Sequence, residues 1–355
     1  MKRVLLPERA NWQQAHQEIG FDYYNLPSRD GSMYWSEGVA YEFSLKQIEQ
    51  LEDASNELHQ MCLEVAGDMI QRGHYPEYFQ IHPAAIPLIE HSWNNQAPML
   101  YGRFDFAYDG QTIKMLEYNA DTPTGLLEAS VAQWHWIEQV ENIANRDQFN
   151  SIHEKLIERW KQLYPARSRV HFAACQEAGR EDWGNLEYLM DTAFQAGLNV
   201  SELSMENIGW NGTAFVDLHQ QEIQHLFKLY PWEWIWEENF AQFLKPETEW
   251  IEPCWKMLLS NKALLIELWK RFPNHPLLLE THAYDAHAHY AGKWVRKPIL
   301  AREGANIHIL QNNVDCGAAS GSFYFDDYDK YGYVMQRWVK TPLHEGMLPT
   351  LGLWM

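Results

Sequence analysis

The stretch YGRFDFAYDGQTIKMLEYNADTPT, residues 101–124, is the key to the organisation of this chain. Two runs of alternating aromatic and polar residues flank Asp109-Gly110, a pair that is typical of a hairpin turn. The second run ends in an unusual density of oxygen-bearing side chains, from Glu117 to Thr124. The pattern predicts two antiparallel strands that carry a polar site at one end.

The length of the hairpin loop decides whether four polar side chains share a face. Arg103 and Asp105 point the same way, as do Glu117 and Asn119, because side chains alternate along a strand. A two-residue loop would put Glu117 on the opposite face from Asp105. A three-residue loop, 108–110, or a bulge would bring all four together, and a glycine in third place fits a left-handed position. A functional site therefore requires an odd loop or a bulge.

On one face, these four side chains form a candidate metal site. Two carboxylates and an amide carbonyl suit Mg²⁺, which prefers oxygen ligands and shares them with substrate phosphates. The guanidinium of Arg103 beside them suits a phosphoryl group in transfer. The alternative is an exposed strand with ordinary surface ion pairs, which are common and contribute little.

Two lysines supply the positive charge that a nucleotide phosphate needs. Lys262 lies in LLSNKALL, within a single helix predicted over 253–272. Lys297 lies in WVRKPILAREGAN, on a strand before a glycine-bearing loop, and we expect it to face a solvent cleft. Neither G-x-x-x-x-G-K-[ST] nor G-x-G-x-x-G occurs, so P-loop and Rossmann sites lack their motifs.

The rest of the chain alternates helices and strands, which predicts a mixed α/β fold. Ser44 and Gln47 form a capping box at the start of a long helix that Gly73 ends. Further helices are predicted over 125–144 and 150–164.

The second half of the chain contains a βαβ unit and a hairpin. A strand at 168–174, a helix that ends at Gly197 and a strand at 198–204 imply a parallel sheet. KWVRKPILA and NIHILQ flank REGA as a hairpin, and GYVMQRWV reads as a further strand.

Composition excludes several classes of protein. The chain has 355 residues, 46% hydrophobic and 21% charged, as a globular protein has. A net charge of −20 repels phosphate backbones, so we expect no nucleic-acid partner, and it attracts cations such as polyamines. Four dispersed cysteines favour reduced thiols. Without an apolar run of about 18 residues or the apolar core of a signal peptide, we expect a cytoplasmic location and no membrane partner.

Six stretches together resemble the synthetase domain of bifunctional glutathionylspermidine synthetase and its stand-alone relatives. They are YGRFDF, LEYNADTPT, KLYPWEW, IEPCWKMLLSNKALL, VRKP and REGAN. The resemblance runs along almost the whole chain. It implies an ATP-grasp fold related to eukaryotic-type glutathione synthetases, in which the metal ligands precede the ATP lysines.

The resemblance also implies one synthetase unit, 1–355, with four regions. These are an N-terminal helical region at 1–100, the metal-site hairpin and helices at 101–165, an α/β substrate-side subdomain at 166–250 and an ATP-grasp lobe at 251–355.

The resemblance implies a role for each matching residue. The magnesium ligands would be Asp105, Glu117 and Asn119, and the arginine that stabilises the phosphorylated intermediate would be Arg103. The ATP-binding residues would be Lys262, Lys297 and Gln336, the last where strands lead into the adenine hinge. The substrate-binding residues would be Thr122, Thr124, Glu181 and Arg302, with Asp182 as the alternative to Glu181.

The implied reaction is ATP-dependent ligation of a small-molecule or peptide carboxylate to a cationic amine, with Mg²⁺, in two ions, as cofactor. The carboxylate would attack the γ-phosphate to give an acyl phosphate, from which the amine displaces phosphate. Glutathione and spermidine are the substrates of the best-known member. The alternative is a non-catalytic, ATP-grasp-shaped protein that binds nucleotide or peptide without turnover.

Two features depart from the pattern of the family. The amidase half of the bifunctional enzyme is absent, and the chain stops at LGLWM. Relatives continue into another strand and a glycine-rich segment with a phosphate-site arginine. We therefore expect either a fragment or an incomplete site, and a final apolar strand that leaves a sheet edge uncovered.

Overall fold

The computed structural model describes residues 1–26, 33–143, 146–319, 322, 324, 326–344 and 346–355. The strands in this part of the chain are β1 (Lys2–Leu5), β2 (Val39–Glu42), β3 (Arg103–Tyr108), β4 (Ile113–Asn119), β5 (Arg169–Ala174), β6 (Asn199–Ser204), β7 (Gly209–Trp210), β8 (Phe215–Val216), β9 (His225–Leu229), β10 (Glu249–Ile251), β11 (Thr281–Ala283), β12 (Lys293–Pro298), β13 (His308–Gln311), β14 (Val314–Ala318), β15 (Tyr333–Arg337) and β16 (Thr350–Trp354). The α-helices are α1 (Trp12–Glu18), α2 (Leu45–Arg72), α3 (Ile86–Asn94), α4 (Gln133–Gln139), α5 (Ile152–Leu163), α6 (Arg180–Gln195), α7 (Trp232–Ile235), α8 (Met257–Ser260) and α9 (Leu264–Arg271).

A three-stranded antiparallel sheet, in the order β16-β3-β4, carries the polar stretch on its hairpin. Arg103 lies opposite Asn119 and Asp105 lies opposite Glu117. A bulge after Asp105 then shifts the register ahead of a four-residue loop, 109–112. Of the two alternatives, the three-residue loop does not form. The bulge supplies the odd residue that brings the four side chains to one face, so the predicted shared face is confirmed.

The other face of the hairpin is apolar and buried. Phe104, Phe106 and Tyr118 are at most 4% exposed. The rings of Phe104 and Tyr118 stack with their centroids 3.8 Å apart, and those of Phe104 and Phe106 stack at 5.6 Å. Because this face packs into the largest apolar cluster, the polar face rests on a rigid support.

The C-terminal strand β16 covers one edge of the hairpin. It runs antiparallel to β3, from Thr350 opposite Ala107 to Trp354 opposite Arg103. Beyond the strand, Met355 and Gly102 exchange backbone hydrogen bonds of 2.9 and 3.0 Å. The strand expected to stand uncovered thus pairs along its inner side with the strand that carries Arg103.

A four-stranded parallel sheet, in the order β10-β9-β5-β6, forms the middle of the chain. The predicted βαβ unit is confirmed, since β5 and β6 are parallel and α6 connects them. Strand β5 is apolar on both faces, as parallel strands are. Phe172 joins the cluster that contains α5 and α6, and Ala173 joins the cluster that contains α2.

A five-stranded antiparallel sheet, in the order β11-β15-β12-β13-β14, forms the last part. The predicted hairpin is confirmed, since β12 and β13 pair antiparallel, and β15 is the predicted further strand. Strand β12 lies at the centre of this sheet, which makes it a firm support for Lys297.

The long N-terminal helix α2 begins and ends as predicted. Ser44 accepts a hydrogen bond from the backbone of Gln47, the side chain of Gln47 accepts one in return, and Gly73 ends the helix at φ 58°. The helix predicted over 125–144 ends earlier, because a π-helical turn, Glu128–Ala132, leads into α4 and Val140 is extended.

The single helix predicted over 253–272 is wrong. A short 3₁₀ turn, Cys254–Lys256, leads into α8, and the chain then breaks at 261–263 before α9. At the break, the backbone of Asn261 is extended and its side chain accepts the backbone N–H of Ala263 at 2.9 Å. Lys262 therefore lies in a turn and not on a helix.

In the described ranges, none of the helices combines the length and the apolar character that a membrane span requires.

Candidate functional site

Arg103 and Asp105 form a two-point ion pair on the polar face of the hairpin. Nε of Arg103 donates to Oδ1 of Asp105 at 2.8 Å, and Nη2 donates to Oδ2 at 3.1 Å. Nη1 donates to the carbonyl oxygen of Thr124 at 2.7 Å. The guanidinium is thus held at three of its nitrogen–hydrogen positions.

Glu117 lies directly across the strand pair from Asp105, so the two carboxylates approach each other. Burial, with help from the charge of Glu117, raises the pKa of Asp105 against the opposing effect of Arg103. Burial also acts to raise the pKa of Glu117, but Lys262 and Lys297 outweigh it, so this pKa is lowered. Glu117 is therefore the more firmly ionised of the two.

Lys262 reaches the hairpin from the turn between α8 and α9. Its Nζ lies 3.3 Å from Oε2 of Glu117 and donates to the carbonyl oxygen of Ala301 at 2.9 Å. The turn is anchored, because the backbone N–H of Lys262 donates to the carbonyl of Ile299 at 3.1 Å. The break in the helix is what lets this side chain turn toward the site.

Lys297 is buried at 5% exposure, so the expectation that it faces a solvent cleft is wrong. Its Nζ donates to the carbonyl oxygen of Leu116 at 3.1 Å. Among the described residues, no carboxylate lies within ion-pair distance of this Nζ. Burial lowers the pKa of Lys297 to about 8, an effect that the attraction of Glu117 only partly offsets.

Gln336 lies beside Lys297 and is also buried. It stands on β15, and its Nε2 lies 3.3 and 3.4 Å from the carbonyl oxygens of Met115 and Leu116. Its amide therefore ties the five-stranded sheet to β4, on the same piece of backbone that Lys297 contacts. A role in binding adenine stays a prediction.

The two predicted threonines each hold a charged side chain. Oγ1 of Thr124 donates to Oε1 of Glu181 at 2.8 Å, which brings the start of α6 against the hairpin. The guanidinium of Arg302 donates to the hydroxyl of Thr122, and its Nη2 lies 3.6 Å from Oε1 of Glu233. The predicted substrate residues thus lie in two contacting pairs beside the polar face.

Acidic groups dominate the side of the site near α6. Burial raises the pKa of Glu181. Burial and then the charge of Glu181 raise the pKa of Asp182 to about 6. Both groups are therefore stronger bases than exposed carboxylates.

Sequence reasoning did not nominate Asp121 and Lys228, which form a buried ion pair beneath the polar loop. Nζ of Lys228 lies 2.6 Å from Oδ1 of Asp121, and Oδ2 accepts the backbone N–H of Trp232 at 3.0 Å. Nζ also lies 4.7 Å from the ring centroid of Trp232. Both residues lie in quoted stretches, LEYNADTPT and KLYPWEW, but nothing in either stretch indicates that they pair.

Comparison with known proteins identifies the family of this chain. Residues 3–355 match the family described as glutathionylspermidine synthase preATP-grasp. The chain belongs to this family. The matched range includes the hairpin, the turn of Lys262 and the strand of Lys297.

Individual relatives of the family differ in length and name. A Haemophilus influenzae protein, provisionally named an acid–amine ligase, is 51% identical over an alignment of 362 positions that covers 100% of this chain and 92% of that protein. Trypanothione synthetase of Crithidia fasciculata is 25% identical, over 98% of this chain and 57% of that enzyme. The bifunctional glutathionylspermidine synthetase/amidase of Escherichia coli is 25% identical, over 78% of this chain and 48% of that enzyme. The chain therefore spans about half the length of the last two.

A solved structure supports the fold. A glutathione synthetase-like effector from Globodera pallida superimposes with a TM-score of 0.57 at 9% identity, over 96% of this chain and 84% of that one. At this identity the likeness concerns the fold alone. The predicted mixed α/β fold of the glutathione synthetase type is confirmed.

The carboxylates of the hairpin fit a magnesium ion that shares its ligands. Within the described residues, no group of three or more His, Cys, Asp or Glu side chains could hold a metal. An ion at Asp105 and Glu117 would therefore take its other oxygens from water and phosphate, as Mg²⁺ does. A carboxylate offers about four lone-pair sites, so Asp105 and Glu117 could ligate the ion while Arg103 and Lys262 stay beside them.

Asn119 fits the predicted metal role less well. Its Oδ1 accepts from the backbone N–H groups of Asp121 and Thr122, at 3.3 and 3.2 Å, and from the hydroxyl of Ser260 at 3.3 Å. A carbonyl oxygen has two lone pairs. Metal ligation by this oxygen would therefore cost the turn part of its support.

Proposed function

We propose that this chain is an ATP-dependent, Mg²⁺-requiring ligase that joins a carboxylate to a cationic amine. Family membership supports this class of reaction, and glutathione with spermidine is the first substrate pair to test. The proposal rests on the charges of five neighbouring side chains. We name these side chains the charged cluster: Arg103, Asp105, Glu117, Lys262 and Lys297. Three cations surround two carboxylates, so the cluster has an excess positive charge. The cation without an acidic partner, Lys297, is buried, and the cluster therefore suits a polyanion.

The two lysines are suited to phosphate oxygens. Each Nζ donates to a backbone carbonyl, Ala301 for Lys262 and Leu116 for Lys297, which a phosphate oxygen can replace. An anion would also restore the ordinary pKa of Lys297 by offsetting its burial. Mg²⁺ held by Asp105 and Glu117, as one or two ions, would neutralise the charge that develops on the transferred phosphoryl group.

Arg103 is suited to the acyl phosphate. A guanidinium carries five N–H donors, and three are used by Asp105 and Thr124. Two remain for the oxygens of a carboxylate that attacks the γ-phosphate and for the tetrahedral intermediate that follows. Because the other three fix its position, Arg103 would stabilise that charge without reorganising.

The acidic groups at the start of α6 are suited to the amine. An ammonium group must lose a proton before its nitrogen can attack the acyl phosphate. Glu181 and Asp182, whose pKa values are raised, are placed to hold the ammonium and accept that proton. Arg302, beside Thr122, is the cation available for a carboxylate of the peptide.

A coupled assay of ADP release tests the proposal. With Mg²⁺, glutathione and spermidine, we expect ADP, phosphate and amide product in equal amounts, with the product identified by mass spectrometry. Asp105→Asn should lower kcat at least about 100-fold because it removes a ligand and frees Arg103. Binding of ATP without ADP release across a panel of peptides and amines would establish the non-catalytic alternative instead.

A further inference from the structure

The C-terminal strand β16 lies against the side chain of Arg103 through two residues. Gly352 stands opposite Asp105, and Trp354 stands opposite Arg103, so both face the same side of the sheet as the guanidinium. These contacts lie outside the motifs that mark the family resemblance.

Gly352 makes room for the stem of Arg103. A Cβ built on Gly352 would lie 3.1 Å from Cδ of Arg103 and 3.6 Å from its Cγ and Nε. The backbone of Gly352 is not in the left-handed region, so an L side chain is allowed there. The three atoms nearest to that Cβ all belong to Arg103, so a side chain at this position would displace Arg103.

Trp354 borders the other end of the same side chain. Cζ of Arg103 lies 5.8 Å from the ring centroid of Trp354, within the range of a cation–π contact. The ring is fixed in turn by an edge contact with Tyr101, whose centroid is 5.7 Å away. With Asp105 and Thr124, the guanidinium and its stem are thus contacted from four directions.

We propose that β16 is part of the reaction centre, in which Gly352 and Trp354 are positioning residues for Arg103. This inference rests on the proposed function for its effect on turnover. Gly352 admits the arginine stem across β16, and Trp354 sets the plane of the guanidinium. A misplacement of about 1 Å at a reacting group costs on the order of 100-fold in rate, so small shifts here have large effects.

A size series at Gly352 tests the positioning role. Gly352→Ala should lower kcat by about threefold and Gly352→Val by about 30-fold. The KM for ATP should change less than about twofold, because we assign Arg103 to the acyl substrate and the intermediates formed from it, and not to the binding of ATP. The melting temperature should stay equal or rise, since both residues suit a strand better than glycine. Thr350→Val, on the same strand and face but away from Arg103, is the matched control and should leave kcat unchanged.

A second readout does not depend on turnover. The Nε–Hε resonance of Arg103, assigned by its loss in Arg103→Lys, reports the ion pair with Asp105. We expect this resonance to move in Gly352→Val and in Trp354→Leu, to move little in Trp354→Phe, which keeps an aromatic face, and to stay in place in Thr350→Val.

The outcomes separate the two proposals. An unmoved resonance in both Gly352→Val and Trp354→Leu overturns the positioning role, whatever happens to kcat. A moved resonance with wild-type kcat overturns the claim that this position matters for catalysis. If the wild-type chain releases no ADP while the resonance moves, the ligase proposal fails and the positioning of Arg103 by β16 stands.

Discussion

The charged cluster and the pair of Glu252 with Lys256 both combine carboxylates with cations, yet they differ in balance and in access. Glu252 and Lys256 are at most 3% exposed and bond to each other. Glu252 also accepts the backbone N–H groups of Leu100 and Tyr101 at 2.9 and 3.1 Å, and Lys256 donates to the carbonyl of Tyr101. The pair therefore has no net charge, and backbone groups supply the other hydrogen-bond partners of both side chains.

The charged cluster leaves its charges unbalanced. Arg103 and Asp105 keep 25% and 19% of their side chains exposed, and Glu117 keeps 28%. The third cation, Lys297, contacts a carbonyl in place of an acid. The count of charges, and not the presence of ion pairs, distinguishes the proposed binding site from the structural pair of Glu252 and Lys256.

Lys256→Met should produce the largest change, a loss of about 3–5 kcal/mol in the free energy of unfolding. The reason is that Glu252 would be left charged and unpaired in the core, where burial already raises its pKa. Urea unfolding measures the loss. Lys270→Met, which removes the cation of an exposed pair with Glu267, is the control and should cost less than about 1 kcal/mol. Equal losses of unfolding free energy in the two variants would show that the buried pair is no more important for stability than the exposed one.

Without ligand, Lys297→Met should change the free energy of unfolding in the opposite direction and stabilise the protein. A fall in the pKa of Lys297 from 10.5 to about 8 corresponds to about 3 kcal/mol of unfavourable burial at neutral pH, which methionine avoids. The variant should therefore be more stable by up to about 3 kcal/mol, yet bind Mg·ATP at least about tenfold more weakly by calorimetry. A destabilised variant, or one with unchanged ATP affinity, would show that Lys297 is structural.

The lowered pKa of Lys297 also predicts that the free energy of unfolding changes with pH, by about 1 kcal/mol per pH unit. Between about pH 8 and 10.5 the unfolded chain holds a proton at position 297 that the folded chain has lost, so the contribution of Lys297 to the free energy of unfolding rises with pH. The stability gap between Lys297→Met and wild type should therefore shrink as the pH rises through this window. Urea unfolding at pH 7.5, 9 and 10 measures it, and a constant gap would contradict the burial of the charge.

The smallest predicted effect concerns the amine. Glu181→Gln should raise the KM for spermidine about fivefold, about 1 kcal/mol, because one close charge pair is lost. The wild-type KM should also rise with salt, since exposed charges are screened within about 10 Å at 0.1 M. Asp191→Asn, an exposed change of charge on the same helix, should leave KM unchanged. A neutral amine preferred over spermidine, or a flat salt profile, would exclude the polyamine while leaving the ligase in place.

The sequence by itself determined the features that depend on near neighbours. The capping box of Ser44 and Gln47, the glycine stop at Gly73 and the alternation of β3 and β4 all follow from residues within a few positions of each other. The family was also visible from six short stretches. The candidate side chains at 103, 105, 117, 262 and 297 were named from these patterns, although their roles stay predictions.

Only the tertiary structure decided how those side chains meet. The bulge after Asp105, the turn that carries Lys262 and the burial of Lys297 each depend on contacts with distant parts of the chain. Asp121 and Lys228 are 107 positions apart, and Gly352 meets Arg103 from the far end of the sequence. Register, burial and long-range pairing depend on how the sheets pack together, and local residue patterns do not predict that packing.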